Sequence, residues 1–147
     1  MAGDTFTLDL RRFVEKANAN AHTVVTKFSQ DILARVVNRT PVGDPSRWKS
    51  KPPAGYVGGR LRANWNVSLG SPDYSTNQPP SASGTAFARG AAVIATWQGQ
   101  DIYLMNSMPY VREIEYGHSG QAPAGVVRVT LAEAQAILAE SVAELPK

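Results

Sequence analysis

The feature that most limits the fold of this chain is one apolar stripe running from about Leu8 to Asn38. Val14, Ala17, Ala21, Val24, Phe28, Ile32 and Val36 recur at spacings of three and four, the period of a single helix face. Phe13, Val25 and Leu33 widen that face, while Glu15, Lys16, Lys27, Asp31 and Arg35 fall opposite. Asp9 in the first turn and Arg39 at the end suit the helix dipole. Pro41 stops the helix.

Two long stretches rich in turn residues follow. Thr40 to Arg60 holds Pro41, Pro45, Pro52 and Pro53 with Gly43, Gly55, Gly58 and Gly59. Gly70 to Gly90 holds Pro72, Pro79 and Pro80 among many Ser, Thr and Asn residues. Both exceed the usual length of a structureless connection, which marks them as functional extensions if ordered. Between and after them lie strand candidates. Ala63 to Leu69 alternates, placing Ala63, Trp65, Val67 and Leu69 on one face. Ala91 to Trp97 and Ile102 to Met105 flank Gln98-Gly99-Gln100-Asp101, which reads as a β-hairpin. Three strands do not bury both faces of a sheet, so the long helix is expected to cover one.

A short helix is expected from Pro109 to Tyr116, with Pro at its start and Gly117 just past its end. The last element is a helix reaching about Leu145, with Val127, Leu131, Ala134, Leu138 and Val142 as its apolar stripe. Thr130-x-x-Glu133 offers a late start as a capping box. Ala122-Pro123-Ala124-Gly125 offers an early one, and the early start is preferred. The expected class is α+β: a long N-terminal helix on a small antiparallel sheet, a short helix after the hairpin, a C-terminal helix and long ordered loops. The length of 147 residues suits a single domain over 1–147 with one core, the loops 40–60 and 70–90 serving as interface extensions.

The chemistry available is narrow. There is no cysteine, so disulfides and thiolate ligands are excluded. No apolar run is long enough for a transmembrane helix, and Met1-Ala2-Gly3-Asp4 does not open a signal peptide. His22 sits beside the apolar stripe and reads as a surface or packing residue. His118, downstream of Glu113 and Glu115, matches no strong metal motif, because those glutamates leave a helix in different directions. Gly55-Tyr-Val-Gly-Gly-Arg60 lacks the Lys-Ser/Thr ending of a phosphate loop. No catalytic or cofactor site is expected.

Charge is uneven. The net charge is +3, but Arg39 to Trp65 holds six cations (Arg39, Arg47, Lys49, Lys51, Arg60, Arg62) against Asp44, or +5. Trp48, Tyr56 and Trp65 are interleaved with these cations, a pattern that can stack nucleobases. Trp65 falls on a strand face and reads as core. Trp48 and Tyr56 serve equally well as anchors in a protein interface. A solvated loop is the plainer reading of the segment.

Two segments resemble a known family. Arg39-Thr-Pro-Val-Gly-Asp44, followed by Gly59-Arg-Leu-Arg-Ala-Asn-Trp65, is similar to a family pattern in which Thr-Pro-Val-Asp-Thr-Gly leads directly into Leu-Arg-x-Ser-Trp. Asn106-Ser-Met-Pro-Tyr-Val-Arg-Glu-Ile-Glu-Tyr-Gly-His-Ser119, then Gln121-Ala-Pro-Ala-Gly-Val-Val-Arg128, resembles its second and more specific block. The family is the small neck or tail-completion proteins of long-tailed bacteriophages. The order matches from Thr40 to Arg128, with compatible helices before and after. The departure is Asp44 to Gly58, which intervenes between two parts that the family joins closely.

The resemblance implies a non-catalytic α+β subunit of a ring, usually a hexamer, joining the head connector to the tail and lining or closing the DNA channel. Its expected partners are copies of itself, connector or head-closure proteins, tail-terminator or tail-tube proteins, and packaged DNA, with no membrane. It would be assembled in the host cytoplasm and reside in the virion. The expected interface residues are Arg47, Trp48, Lys49, Lys51, Tyr56, Arg60, Arg62, Tyr110, Glu115, Tyr116, His118 and Gln121. Within the second block, Ile114 reads as core and His118 to Gln121 as an exposed turn. The alternative function is that of a small basic nucleic-acid-binding protein.

Overall fold

A computed structural model describes residues 2–147, and the side chains of Thr5 and of residues from 7 onward. The fold is α+β. Helix α1 spans Ala2–Arg39, about 57 Å at 1.5 Å per residue. A single 3-10 turn at Pro45–Arg47 interrupts the first loop. Then come α2 (Arg60–Ala63), β1 (Asn66–Leu69), α3 (Thr85–Ile94) and β2 (Ile102–Met105). Short α4 (Val111–Glu115), α5 (Val127–Ala132) and α6 (Ala134–Ala143) complete the chain.

The sheet has two strands, not the three expected. β1 and β2 pair antiparallel, with Asn66 opposite Met105 and Leu69 opposite Ile102. The expected strand Ala91–Trp97 is instead the end of α3 and the turn after it, so Gln98–Asp101 links a helix to a strand rather than closing a hairpin. The cause lies upstream, in Thr85-Ala-Phe-Ala-Arg-Gly-Ala-Ala. Ala is the strongest helix former, and Ala86, Gly90 and Ile94 recur every four residues on one buried face. That face is small by necessity, since a Cβ on Gly90 would sit 2.5 Å from Leu33 Cδ2 and 2.6 Å from Val67 Cγ2. Only glycine lets α1, α3 and β1 approach this closely. The second expected loop therefore ends at Gly84. Ala63 also leaves the expected strand and belongs to α2.

The core gathers the C-terminal half of α1 (Leu33, Val36, Val37), the strand residues Trp65 and Val67, Ala86 and Ile94 of α3, and Ala122 and Val126. The outer edge of β1 is covered by the 71–83 loop. Asn64 accepts from the Gln78 amide (3.0 Å) and Asn66 donates to the Ser75 carbonyl (2.7 Å). Both asparagines are buried, and these bonds offset their desolvation. Arg89 of α3 donates to the carbonyls of Ala63 and Trp65, 2.9 Å each.

Two apolar stripes do not face the core as expected. Along α1, residues 7–19 are exposed, so Phe13, Val14 and Ala17 have no cover and Ala21 is exposed as well. Burial begins near Val24 and is deepest at Leu33. The body is too short to reach further, because the sheet contributes only four residues per strand. The C-terminal helix starts at Val127, three residues before Thr130, and breaks at Glu133. Ala122–Gly125 forms a turn rather than a helical start (Gly125 amide to Ala122 carbonyl, 3.0 Å). The Thr130–Glu133 capping box does not form. The Thr130 hydroxyl donates to the Val126 carbonyl and accepts from Arg39, and Glu133 pairs with Arg39 at 2.7 Å and Arg35 at 2.8 Å. Glu133 thus lies on the side facing α1, where Thr130, Ile137 and Ser141 are buried, leaving Val127, Leu131, Leu138 and Val142 outside.

Candidate assembly interface

The Thr40-Pro41-Val42 turn is the hub of the site. The Thr40 hydroxyl donates to the Val36 carbonyl and accepts from Trp65 Nε1 at 2.7 Å, with both side chains buried. The Arg62 guanidinium covers the open end of α1. It donates to the Thr40 carbonyl (2.8 and 3.1 Å) and the Asn38 carbonyl (3.2 Å), and also to the Ala82 carbonyl (2.9 Å). Terminal helix carbonyls need such donors. Gln121 clasps Val42 in both directions, its Nε2 donating to the Val42 carbonyl (2.9 Å) and its Oε1 accepting from the Val42 amide (3.3 Å). The two sequence blocks thus meet at one turn.

From this hub the basic insertion folds out. The Asp44 carboxylate accepts from the Ser46 amide (3.0 Å) and hydroxyl (2.6 Å) and pairs with Arg47 at 3.3 Å. The Ser46 bonds, chiefly, hold the Asp44 carboxyl below its ordinary pKa. Trp48 meets Tyr56 edge to face, with centroids 4.8 Å apart. Lys49 and Lys51 are exposed.

The second block is tied down equally well. Asn106 donates to the Leu61 carbonyl at 2.8 Å and accepts from the Met108 amide. Just past the end of α4, the amides of Gly117 and His118 return to the Ile114 and Glu113 carbonyls. The Glu115 carboxylate then caps α5, accepting the amides of Val126 (2.8 Å), Val127 (2.8 Å) and Arg128 (2.9 Å). Burial penalises the charged carboxylate, but these three donors and the Arg128 side chain outweigh it and lower the pKa. Gly125, at φ +86°, passes with its Cα hydrogens against Glu115, where a Cβ would lie 2.4 Å from the Glu115 carbonyl oxygen. Arg128 also lies over the Tyr116 ring, 5.2 Å from its centroid.

Between the blocks opens a cleft of about 1060 Å³. Arg47, Trp48, Tyr56, Arg60, Tyr110, His118 and Gln121 all line it, with Ile114 half-buried at its base. Seven of the expected interface residues are thus brought together. Lys49, Lys51, Arg62, Glu115 and Tyr116 do not line the cleft. Glu115 and Tyr116 border a second, apolar hollow of about 450 Å³ floored by Trp65, Leu104 and Ile114. Partial burial pushes the Tyr110 phenol above its ordinary pKa, against the pull of the Arg60 cation.

The cleft is walled by aromatic and cationic side chains, Trp48, Tyr56 and Tyr110 with Arg47 and Arg60. The His118 amide donates to the Glu113 carbonyl at 3.1 Å. His22 packs on Trp97 instead, its Nε2 3.1 Å from the Trp97 carbonyl oxygen. Among the described residues no three His, Asp or Glu side chains converge to hold a metal ion, and no helix is long and apolar enough to cross a membrane. Sequence reading missed Arg89, which lay in a stretch read as loop, and the exposed faces of α1 and α5–α6. No family model, curated protein or solved structure matches the chain.

Proposed function

We propose that this protein is a non-catalytic subunit of a ring in the neck of a tailed bacteriophage, joining head connector to tail around the DNA channel. The supporting observation is that the two blocks resembling the neck family, far apart in sequence, lock together through Gln121 and Val42. Together they frame an open cleft lined by aromatic and cationic side chains. Such walls suit protein docking, where Trp, Tyr and Arg contribute most. Homo-oligomeric assembly, usually hexameric in the resembled family, follows from the same reading. So does placement in the virion beside connector and tail-tube or tail-terminator proteins. Electron microscopy of the assembled particle is the test: the chain should appear as a ring at the head–tail junction.

A second reading, a small nucleic-acid-binding protein, rests on the exposure of Arg47, Lys49 and Lys51. It requires salt-dependent binding to short DNA that disappears when all three become Ala. Absence of binding at low salt removes it.

A further inference from the structure

Two long apolar helix faces in this chain are uncovered, and neither can cover the other within one copy. On α1, Leu10, Phe13, Val14, Ala17 and Ala21 form a stripe of about three turns with every member exposed; Phe13 is 69% accessible. On α5–α6, Val127, Leu131, Leu138 and Val142 form a second stripe, with Leu131 61% accessible. Clustered apolar residues of this kind, unlike scattered single ones, mark interaction surfaces.

The ion pairs fix how these faces sit. Glu133 meets Arg35 and Arg39, while Glu144 meets Lys27 at 3.2 Å. α5–α6 therefore runs antiparallel to α1 and ends level with Lys27. α1 is one continuous helix, so its first five turns project past that end and away from it. Rigid geometry forbids contact between the two stripes of one molecule.

We propose that the α1 arm of one copy docks on the α5–α6 face of the next. The lengths are compatible: the exposed stripe from Leu10 to Ala21 spans about 17 Å of helix and fits within the α5–α6 face, which runs from Val127 to Ala143 over about 24 Å. The charges agree too. Leu10–Ala21 carries Arg11, Arg12 and Lys16 against Glu15, a net +2, with Asp9 beside Arg12 at 3.9 Å, while Val127–Leu145 carries Glu133, Glu140 and Glu144 against Arg128, a net −2. Glu144 is shared with Lys27 and remains largely exposed. Opposite charges beside apolar helix seams set partner choice and direction, as at the flanks of a coiled coil. The contact is head-to-tail, since arm and face are different surfaces, and head-to-tail contacts generate rings where the rotation between copies closes. This deepens the neck-ring reading and rests on it for its biological setting, but the docking itself is testable on the isolated chain.

The absence of native cysteine makes crosslinking clean. Chains carrying Val14→Cys and chains carrying Leu138→Cys, mixed and oxidised, should give a disulfide-linked heterodimer, and chains carrying both should give a ladder. Val14→Cys crosslinking to itself instead, or no crosslink in the mixture, overturns the proposal. Light scattering supplies the second arm. Wild type should self-associate, and Phe13→Asp or Leu138→Asp should shift it to monomer with unchanged circular dichroism, since both side chains are exposed. A wild type that stays monomeric at every concentration, or an oligomer that survives both substitutions, also overturns the docking. Neither result touches the neck reading, which is judged on the particle.

Discussion

Thr40 shows how one side chain organises the site. Its hydroxyl links the last turn of α1 to the Trp65 indole, and both groups are buried. Replacing it with valine keeps the shape and removes the acceptor. The orphaned indole N–H should cost about 1–3 kcal/mol, read as a lower urea midpoint with an unchanged m-value. Arg62 and Gln121 belong to the same hub, one closing the helix end and the other clasping Val42. Sequence order alone placed Gln121 in a turn facing a neighbour. Its actual bonds are to its own chain, because Gly117 and Gly125 bend the second block back onto the first. No spacing rule reveals a contact between residues 79 apart in sequence.

At the scale of elements, the close crossing of α1, α3 and β1 depends on Gly90. Gly90→Val would push a side chain into Leu33 and Val67. The expected loss is about 1–3 kcal/mol from overpacking, measured by thermal unfolding. Much of the fold was legible because helix periodicity is strong over long runs: α1, α4 and the C-terminal helix were all visible. The face that α6 buries was not. Its apolar stripe points one way, while the face that meets Arg35 and Arg39 through Glu133 is the buried one. The Ala91–Trp97 strand failed because alternation over a few small residues is also compatible with a helix, and burial of Gly90 decided between them. The exposed arm of α1 yields its own prediction. In a monomeric variant such as Leu138→Asp, amides of residues 7–19 should exchange with solvent far faster than those around Leu33, because they lack tertiary cover. Equal protection of both halves would contradict the arm.

At the scale of the whole molecule, acid should loosen the C-terminal helices first. Glu115 and Glu133 have pKa values lowered from an ordinary 4.5. For Glu115, backbone donors overcome the cost of burial; for Glu133, Arg39 is the chief cause. A lowered carboxylate contributes stability that is fully present above the ordinary value and lost as pH falls through the folded value. Stability should therefore be flat above about pH 5 and drop below pH 4.5, with Glu115→Gln flattening part of that slope in a pH series of unfolding curves. The same architecture, a body with a projecting helix and an uncovered helical face, is what the proposed assembly requires of its protomer. Cryo-electron microscopy of the particle tests that claim most directly. The proposal predicts a cyclic ring of this chain around the DNA channel between connector and tail; particles that lack the chain, with the protein monomeric throughout, would contradict it.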